Sequence, residues 1–335
     1  MNHRQFSLDF PYALGKPPAL AGFREQLEDF QVIEELGFEL SGEGEHLSLY
    51  VQKKDQNTRW VAGLLADALG VDEMAVGYCG LKDRRAVTRQ WFSVHLPDAG
   101  DLSIPDVPGC DILAVSRHHK KLRRGMHSGN HFVIRLRDVQ GDPVELETRL
   151  KDINSKGVPN YFGEQRFGRD AGNLPEADQL MQARSAQGNR RRKKTGKAAS
   201  KDGLYLSAAR SYLFNLVLAE RVRLGSWQVT LEGEVEPGGP LWGRGRSQVP
   251  EGVGQLESRV LEPWGDWCHG LEFSGLSQER RSLVLLPKTF SWRWLQGAEL
   301  NVRDLELSFF LPSGCFATSL LREVAQLQHS RAVAE

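Results

Sequence analysis

The sequence has few cysteines, and none of them is spaced for a metal site or a disulfide framework. Its four cysteines form no CxxC pair, which argues against a zinc ribbon and a disulfide-stapled fold. No run of about 18 apolar residues occurs, so no membrane-spanning helix is expected. The N-terminus, MNHRQFSLDFPYAL, lacks the apolar core of a signal peptide. We expect a soluble protein of a reducing compartment, the cytoplasm.

The chain also lacks a net charge, but its charges are unevenly distributed. The 335 residues contain 43 Lys and Arg against 43 Asp and Glu. Residues 1–80 contain 6 basic and 13 acidic residues, whereas residues 114–137 contain 7 basic residues and residues 184–201 contain 8, with no acid in either range. The total therefore does not indicate a nucleic-acid binder, but the segregation indicates basic surfaces for an anionic partner.

Alternating apolar residues predict strands along much of the chain, and 40% of the residues are apolar, which is enough for a sizeable core. The length indicates one large domain or two ordinary ones. The segments that alternate are DFQVIEE (29–35), HLSLYV (46–51), EMAVGYC (73–79), WFSVHL (91–96), HFVIRLRDV (131–139) and LSFFLP (307–312).

Helical periodicity predicts helices between these strands. TRWVAGLLADALG (58–70) places Trp60, Val61 and Leu65 on one face and ends at Gly70. DPVELETRLKDINSKG (142–157) turns Val144, Leu150 and Ile153 inward, and a long helix is predicted from Leu204 to Gly225. The mixture predicts an α/β (α+β) fold, in which helices cover a mixed sheet.

Two stretches in the middle of the chain lack this patterning. Residues 187–203, QGNRRRKKTGKAASKDG, are basic and almost free of apolar residues, which favours a solvated loop. Residues 233–254 are rich in Gly and Pro, which predicts loops and short strands. The function of neither stretch follows from its composition.

One carboxylate stands among cations in GLKDRRAVTRQWFSVHL (80–96). Lys82, Arg84 and Arg85 surround Asp83 and favour its ionised form. An ionised carboxylate is a poor general acid, so its possible roles are nucleophile, electrostatic stabiliser or ion-pair partner. Taken alone, the surface ion pair is the favoured interpretation. A metal site is not indicated, because no second carboxylate or paired His stands at ligand spacing nearby.

The stretch SRHHKKLRRGMHSGNHFVIRL (116–136) is a second candidate. Its Lys and Arg residues fit phosphate contacts as well as they fit a solvated loop. Asn130 and Phe132 lie two positions apart and project to one face of an extended segment. An amide can pair with the edge of a base and a ring can stack on it, although a Phe in a strand is more commonly core.

Two further segments combine aromatic residues with glycine. PNYFGEQRFGRD (159–170) carries Arg166, which can reach phosphate, but a turn packed on its own aromatics explains it equally well. PSGCFATSLLRE (312–323) places Phe316 before a predicted helix, for which Thr318 or Ser319 is the expected cap. The alternative role of Phe316 is a hydrophobic staple.

Taken together, these segments resemble the TruD family of tRNA pseudouridine synthases. The similarity is carried by GLKDRRAVTRQ, GNHFVIRL, GVPNYFGEQRFG and LPSGCFATSLLRE, and further by EDFQVIEELGFE with GEGEHL and by LSAARSYLFN. These segments occur in family order from about residue 24 to residue 323. A departure is Arg24, where many members have Lys, so a planar fork replaces a compact ammonium.

The resemblance implies the reaction and the residues that perform it. Such enzymes break the N1–C1′ bond of a uridine, turn the base and rejoin it through C5, with one aspartate and neither cofactor nor metal; here the aspartate is Asp83. Phe30, Asn130 and Phe316, and with less specificity Phe132, match residues at the uridine. The expected target is U13 in the D arm of tRNA, with glutamate tRNA as the best-known type. The cations expected to contact RNA phosphates are Lys82, Arg84, Lys120, Lys121, Arg123, Arg124 and Arg166.

The resemblance also implies an architecture. A pseudouridine-synthase-like catalytic domain of residues 1–156 and 302–335 would be interrupted by an inserted TRUD-type α/β domain of residues 157–301. A V-shaped arrangement with a basic cleft for tRNA is expected, and so is a monomer. Two rival functions stay open: a glycoside hydrolase, although only one carboxylate stands at Asp83, and an RNA-binding protein or tRNA chaperone without chemistry.

Overall fold

The computed structural model describes residues 4–97, 106–187, 197–297 and 303–329. The chain divides into two compact units. One, here called the sheet unit, comprises Pro18–Leu146, Pro287–Gly314 and Ala325–Glu335; the other, the helical unit, comprises Met1–Pro17, Glu147–Leu286 and Cys315–Val324.

Fourteen strands are formed by the described residues. They are β1 (Leu20–Phe23), β2 (Phe30–Glu35), β3 (His46–Lys54), β4 (Val76–Tyr78), β5 (Val87–His95), β6 (Cys110–His118), β7 (Gly129–Gln140), β8 (Val158–Pro159), β9 (Gly238–Leu241), β10 (Glu279–Ser282), β11 (Val284–Leu285), β12 (Lys288–Gln296), β13 (Arg303–Pro312) and β14 (Gln326–His329).

Seven α-helices occur in the same ranges, with short 3₁₀ turns between them. They are α1 (Thr58–Leu69), α2 (Pro143–Lys156), α3 (Asn173–Gln187), α4 (Lys197–Arg223), α5 (Glu251–Leu261), α6 (Gly265–Glu272) and α7 (Ala317–Val324).

The sheet unit is built on one mixed sheet of ten strands, counted over the described residues. Seven follow the order β12-β13-β7-β2-β5-β3-β6, while β4 pairs with β5, and β1 pairs with β7 and β14. Most neighbours run antiparallel, but β2 and β5 run parallel, as do β1 and β14. Glu34 of β2 stands opposite Asn130 of β7, which brings two polar residues together in the sheet. The predicted mixed α/β class is confirmed.

Alternation along the strands gives the sheet its buried face. Leu49 and Val51 of β3 pack with Phe92 of β5 against Val61 and Leu65 of α1. The helix ends where predicted, since Gly70 adopts the left-handed conformation at its C-terminus, with φ of 65°.

The helical unit has its own core, made of aromatic and aliphatic residues. Tyr212 and Phe214 of α4 pack with Trp267 of α6 and Met181 of α3 in one buried cluster. Two short two-stranded ladders, β9 with β10 and β8 with β11, complete the unit.

Three predictions about helix faces and caps were wrong. Trp60 of α1 is 63% exposed, because the buried stripe runs through Val61 and Leu65 and leaves Trp60 outside it. Val144 of α2 is also exposed, at 73%. Neither Thr318 nor Ser319 caps α7, since the helix begins before them, at Ala317.

The loop predicted over residues 187–203 is wrong for its last part. Residues 188–196 lie outside the described residues, but α4 begins at Lys197 and continues through Gly203. The stretch 233–254 contains the short strand β9 and turns, as predicted, until α5 begins at Glu251.

The expected insertion of residues 157–301 stays a prediction. The two compact units begin and end at other residues, and packing units and inserted domains are different divisions of a chain. Among the described residues, no helix is long and apolar enough to cross a membrane.

Candidate active site

Asp83 lies on the loop between β4 and β5 of the sheet unit. Its side chain is 34% exposed, and its Oδ1 is 3.1 Å from Nη2 of Arg24. Arg24 directly follows β1 and has a φ of 58°, a conformation that few residues other than glycine adopt. Strained backbone of this kind is common at functional sites, and here it directs a cation at the only acid of the loop.

Two aromatic rings hold the guanidinium of Arg24. Its Cζ lies 3.8 Å from the centroid of the Phe30 ring and 5.2 Å from that of Phe23. Phe30 is 2% exposed and is the first residue of β2. The predicted uridine-contacting ring therefore also fixes the partner of Asp83, a contact that a lysine ammonium would make with a different geometry.

Lys82 is buried beneath the loop, and its charge is paired inside the protein. Its Nζ is 2.7 Å from Oε2 of Glu34 and donates to Oδ1 of Asn130 at 2.6 Å. The side chains of Lys82 and Glu34 are 5% and 0% exposed. This location leaves the predicted phosphate contact of Lys82 without support, while Asn130 is bonded to the residue that precedes Asp83.

The backbone of the loop is fixed by two buried polar side chains. The amide of Lys82 donates to Oγ1 of Thr58 at 3.0 Å, and Thr58 donates to Oε1 of Gln90 at 2.8 Å. Nε2 of Gln90 donates in turn to the carbonyl of Gly80 at 3.3 Å. The loop is therefore fixed by α1 and β5 as well as by its own turn, in which the amide of Ala86 donates to the carbonyl of Arg84 at 2.8 Å.

Lys53 fixes the loop at Asp83 itself. Its Nζ donates to the carbonyl oxygen of Asp83 at 3.0 Å and to that of Gln56 at 2.6 Å, and the residue is 0% exposed. Burial lowers the pKa of Lys53 to about 8, although the nearby carboxylate of Asp83 raises it.

Sequence reasoning missed Lys53, Glu34, Thr58 and Gln90. A signal for Lys53 was present, since it continues the inward series of Leu49 and Val51 on β3, where a charge is unexpected. The positions of Glu34, Thr58 and Gln90 beneath the loop depend on contacts between segments that are distant along the chain, and no local sequence pattern reveals such contacts.

Phe132 lies in the core of the sheet. It is 7% exposed, stacks on Phe309 with ring centroids 5.5 Å apart, and meets Phe30 edge to face at 6.0 Å. Its contact with a uridine stays a prediction.

The cations of the sheet unit that are predicted to contact phosphate differ in their exposure and in whether they already bind a protein group. Arg84 is exposed and paired with Asp55 at 3.3 Å. Lys121 donates to the carbonyl of Met74. The exposed cations of the segment between β6 and β7 are Lys120, Arg123 and Arg124.

Phe316 and Arg166 come together in the helical unit. Phe316 directly precedes α7, and its ring centroid lies 5.8 Å from that of Phe162. The Cζ of Arg166 is 5.5 Å from the centroid of Phe316 and from that of Phe162. The two segments that the sequence singled out separately therefore form one group.

A cavity of about 560 Å³ lies beside the loop, on the side of α1. Trp60 and Leu64 line it together with Leu81 and Lys82, and Asp83 is not among its lining residues. Within residues 4–97, 106–187, 197–297 and 303–329, no three His, Cys, Asp or Glu side chains are grouped so that they could hold a metal ion.

Comparison with known proteins gives consistent matches. The family model of tRNA pseudouridine synthase D (TruD) matches residues 10–181. The tRNA pseudouridine synthase D of Cellvibrio japonicus is 50% identical over 334 residues, covering 97% of this chain and 95% of that protein. That of Aeromonas hydrophila is 43% identical, covering 95% and 94%. A crystal structure from Methanosarcina mazei, described as tRNA pseudouridine synthase D, matches with a TM-score of 0.70 at 20% identity, covering 93% of this chain and 95% of that one, which supports the fold.

The protein combines a mixed sheet, an ion-paired aspartate on a loop fixed by buried side chains, and relatives named tRNA pseudouridine synthase D. These features place it among the pseudouridine synthases, a class of isomerases. Within that class, the chain belongs to the tRNA pseudouridine synthase D (TruD) family.

Proposed function

We propose that the protein converts a uridine of tRNA, U13 in the D arm, to pseudouridine, and that Asp83 acts on the sugar of that nucleotide. The observation that carries the proposal is the geometry of Asp83: a third of its side chain is exposed, it is paired with Arg24 at 3.1 Å, and its carbonyl is bound by the buried Lys53. A carboxylate that only formed a surface ion pair would not need a loop fixed from three sides.

The reaction is an isomerisation, so no oxidant or reductant takes part. The N1–C1′ bond breaks and a C5–C1′ bond forms, and the proton on C5 leaves while N1 gains one. Asp83 attacks C1′ to form an ester or removes the 2′-proton toward a glycal; both routes begin from an ionised carboxylate. Arg24 donates a hydrogen bond to Oδ1 of Asp83 and so orients the carboxylate that reacts.

The target base must leave its stack to reach Asp83. Extrusion costs roughly a few kcal/mol, and one base–aromatic contact returns about 1–3 kcal/mol. We propose Phe30, Phe132 and Phe316 as the rings and Asn130 as the amide that contact the nucleotide. Asn130 is already bonded to Lys82, so its orientation is fixed before RNA binds.

The remaining proposals concern the surroundings of the site. Arg84, Lys120, Lys121, Arg123 and Arg124 contact phosphates, while Lys82 supports the loop. Residues 157–301 form an insertion in a catalytic domain of residues 1–156 and 302–335, as the family resemblance implies. The enzyme acts as a cytoplasmic monomer without metal or cofactor.

The test replaces Asp83 with asparagine, which keeps the shape and removes the charge. With tRNA labelled as [5-³H]uridine, wild type should release tritium and D83N should release none, while tRNA binding stays within a few-fold. Asp55→Asn is the matched control, because Asp55 is also exposed and paired with an arginine of the loop; it should keep activity.

The products separate the rival functions. Normal tritium release by D83N contradicts the role of Asp83, and free uracil from the wild type indicates a hydrolase. Binding without any release by the wild type indicates an RNA-binding protein or chaperone. Mapping pseudouridines in tRNA from cells that lack the protein tests U13, because that position alone should lose its pseudouridine.

A further inference from the structure

The cavity beside the loop of Asp83 has two exposed apolar side chains in its wall. Trp60 of α1 is 63% exposed and Leu81 of the loop is 55% exposed, and both line this cavity of about 560 Å³, here called the α1 cavity. Its volume lies in the range of ligand pockets, about 300–1,000 Å³. Exposed apolar side chains that border one space mark interaction sites, whereas scattered ones do not.

The fold leaves Trp60 outside the core of the sheet unit. Val61 and Leu65 of the same helix are 0% exposed and pack in that core. Among the described residues, Trp60 makes no ring contact, and its indole N–H donates to no protein group. The ring is therefore available to a ligand.

Gly63 opens the face of α1 beside the tryptophan. Trp60, Gly63 and Leu64 are three and four positions apart, so they lie on one helix face, and all three line the α1 cavity. A side-chain carbon at Gly63 would meet no packing neighbour within 4 Å. Glycine weakens a helix relative to alanine, and packing does not require it here. The missing side chain keeps the cavity open.

The charges of the cavity wall indicate which part of a nucleotide fits there. Arg59 is exposed in the first turn of α1, and it forms no ion pair among the described residues, so it can contact a phosphate. Asp67 lies about 12 Å further along the helix axis. Asp67 and Glu73 also line the cavity and would repel a phosphate. A neutral base suits the space between these ends, because it stacks on an aromatic ring and its edge N–H groups can donate to a carboxylate.

The α1 cavity also shares a wall with the candidate active site. Leu81 and Lys82 line the cavity, and Asp83 follows them directly. Two residues span at most about 7 Å of chain, so Leu81 stands close to the carboxylate's backbone. Thr58, which binds the amide of Lys82, lies in the same wall. An RNA strand whose uridine reaches Asp83 therefore brings a neighbouring nucleotide within reach of the cavity.

We propose that the α1 cavity binds the base of a nucleotide that neighbours the target uridine, with this base stacked on Trp60 beside Leu81 and its phosphate near Arg59. The inference rests on the proposed function, because it takes tRNA as the substrate. A base held there has left its own stack, so the contact offsets part of the cost of opening the RNA around the uridine.

The first test measures tRNA binding by Trp60→Ala and Trp60→Phe. Loss of the ring should weaken binding by about fivefold to a hundredfold, whereas Trp60→Phe should keep most of the affinity, because any aromatic ring can stack on a base. Val144→Ala is the matched control, since Val144 is a 73% exposed apolar residue of a helix and does not line the cavity. It should change binding by less than about twofold. Equal affinities of Trp60→Ala and the wild type would overturn the proposal.

The second test fills the cavity without removing a contact. Gly63→Leu should raise the melting temperature, because leucine favours the helix, yet it should weaken tRNA binding by about tenfold, because the added side chain displaces the base. The control is Ala68→Leu, which adds the same bulk to an exposed position of α1 outside the cavity. A Gly63→Leu protein that is more stable and binds tRNA normally would show that the cavity stays empty.

The third test identifies the base. Each nucleotide flanking the target uridine is replaced in turn by an abasic residue, which keeps the phosphate. One position should weaken wild-type binding by about tenfold and leave the binding of Trp60→Ala unchanged. If every position affects both proteins equally, the inference is wrong, even where tritium release shows the proposed isomerisation intact. Failure of the wild type to release tritium would instead count against the proposed function.

Two further measurements separate RNA from other occupants of the cavity. Sedimentation shows whether the wild type forms a dimer that Trp60→Ala dissociates, as expected if a second copy of the chain covered Trp60. Calorimetry with the four ribonucleoside monophosphates shows whether a free nucleotide binds. A dimer of this kind would overturn the assignment to RNA, and so would submillimolar nucleotide binding that Trp60→Ala abolishes without any abasic effect.

Discussion

Lys53 places its ammonium group inside the sheet unit, where it donates hydrogen bonds to two backbone carbonyls. It is 0% exposed, and its pKa falls to about 8 because burial penalises the charged form. Four nearby ionisable side chains also affect the pKa of Lys53. Asp83, Cys110 and Asp55 raise it, and Lys82 lowers it. The position of Asp83 thus depends on a cation that folding disfavours.

This cost predicts a pH dependence of stability. Between the folded pKa of about 8 and the ordinary lysine pKa of 10.5, the unfolded chain binds a proton that the native protein does not, so raising the pH stabilises the fold. The free energy of unfolding of the wild type minus that of Lys53→Met should rise by about 2 kcal/mol between about pH 7.5 and about pH 9.5. Urea titrations measure it.

The control is Lys54→Met, because Lys54 is the next residue on β3 and is exposed. Its difference from the wild type should stay constant over the same pH range. A constant difference for Lys53→Met as well would show that its pKa is ordinary and that it is not buried as described.

At the level of single residues, the sequence predicts roles for Asp83 and Asn130, but it does not predict which side chains fix them. Asp83 stands out because it is one acid among cations, which is a local pattern. Thr58 and Gln90 look like ordinary polar residues until α1 and β5 bring them beneath the loop.

Among the elements, β2, β7 and the loop that carries Asp83 are joined by the buried ion pair of Lys82 and Glu34. Lys82 links Glu34 of β2 to Asn130 of β7, and Oε1 of Glu34 also accepts from the amide of Trp91 on β5 at 3.0 Å. The pair is almost completely buried, so removal of one partner leaves an uncompensated charge. An exposed pair such as Lys54–Glu28, at 3.3 Å, has no such role.

We therefore expect Glu34→Gln to lower the free energy of unfolding by about 3 kcal/mol. The amide keeps the hydrogen bond to Trp91 but leaves the ammonium of Lys82 with a neutral partner. Glu28→Gln is the control and should change stability by less than about 1 kcal/mol. Chemical unfolding of both variants measures the two losses; equal losses would show that Glu34 is solvated rather than buried.

The wrong predictions about helices have a common cause, which is that tertiary packing decides where a helix extends and which face it buries. Residues 197–203 were assigned to a loop because they are basic, yet Lys and Ala are good helix formers, and α4 extends through them once its later turns are packed in the helical core. The helical periodicity predicts Trp60 on the same face as Val61 and Leu65, whereas the geometry of α1 buries Val61 and Leu65 and leaves Trp60 exposed.

At the scale of the whole molecule, each compact unit collects segments that are distant along the chain. The helical unit includes the first 17 residues, where Phe6 meets Tyr212 edge to face at 5.8 Å and Cζ of Arg4 lies 4.5 Å from the Trp264 ring. No periodicity in the N-terminal segment indicates this packing. The mixed α/β class could be predicted from strand and helix patterns, but the assignment of segments to units depends on such contacts.

The whole molecule is neutral, so its affinity for RNA must come from where its cations are placed. Lys120, Arg123 and Arg124 are exposed on one segment of the sheet unit. If each neutralises a phosphate, each also releases counterions, and the logarithm of the binding constant falls linearly with the logarithm of salt concentration. A triple substitution to glutamine should reduce the magnitude of that slope by about 2 to 3.

Binding of unmodified tRNA across a range of potassium chloride concentrations measures the slope for the wild type, the triple variant and a control. The control replaces three exposed cations of the helical unit, Lys151, Lys156 and Arg259, with glutamine. Its slope should change by less than about 1, because those cations are not predicted to contact phosphate. An equal decrease in both variants would mean that the neutral chain binds RNA through its overall field rather than through the segment between β6 and β7.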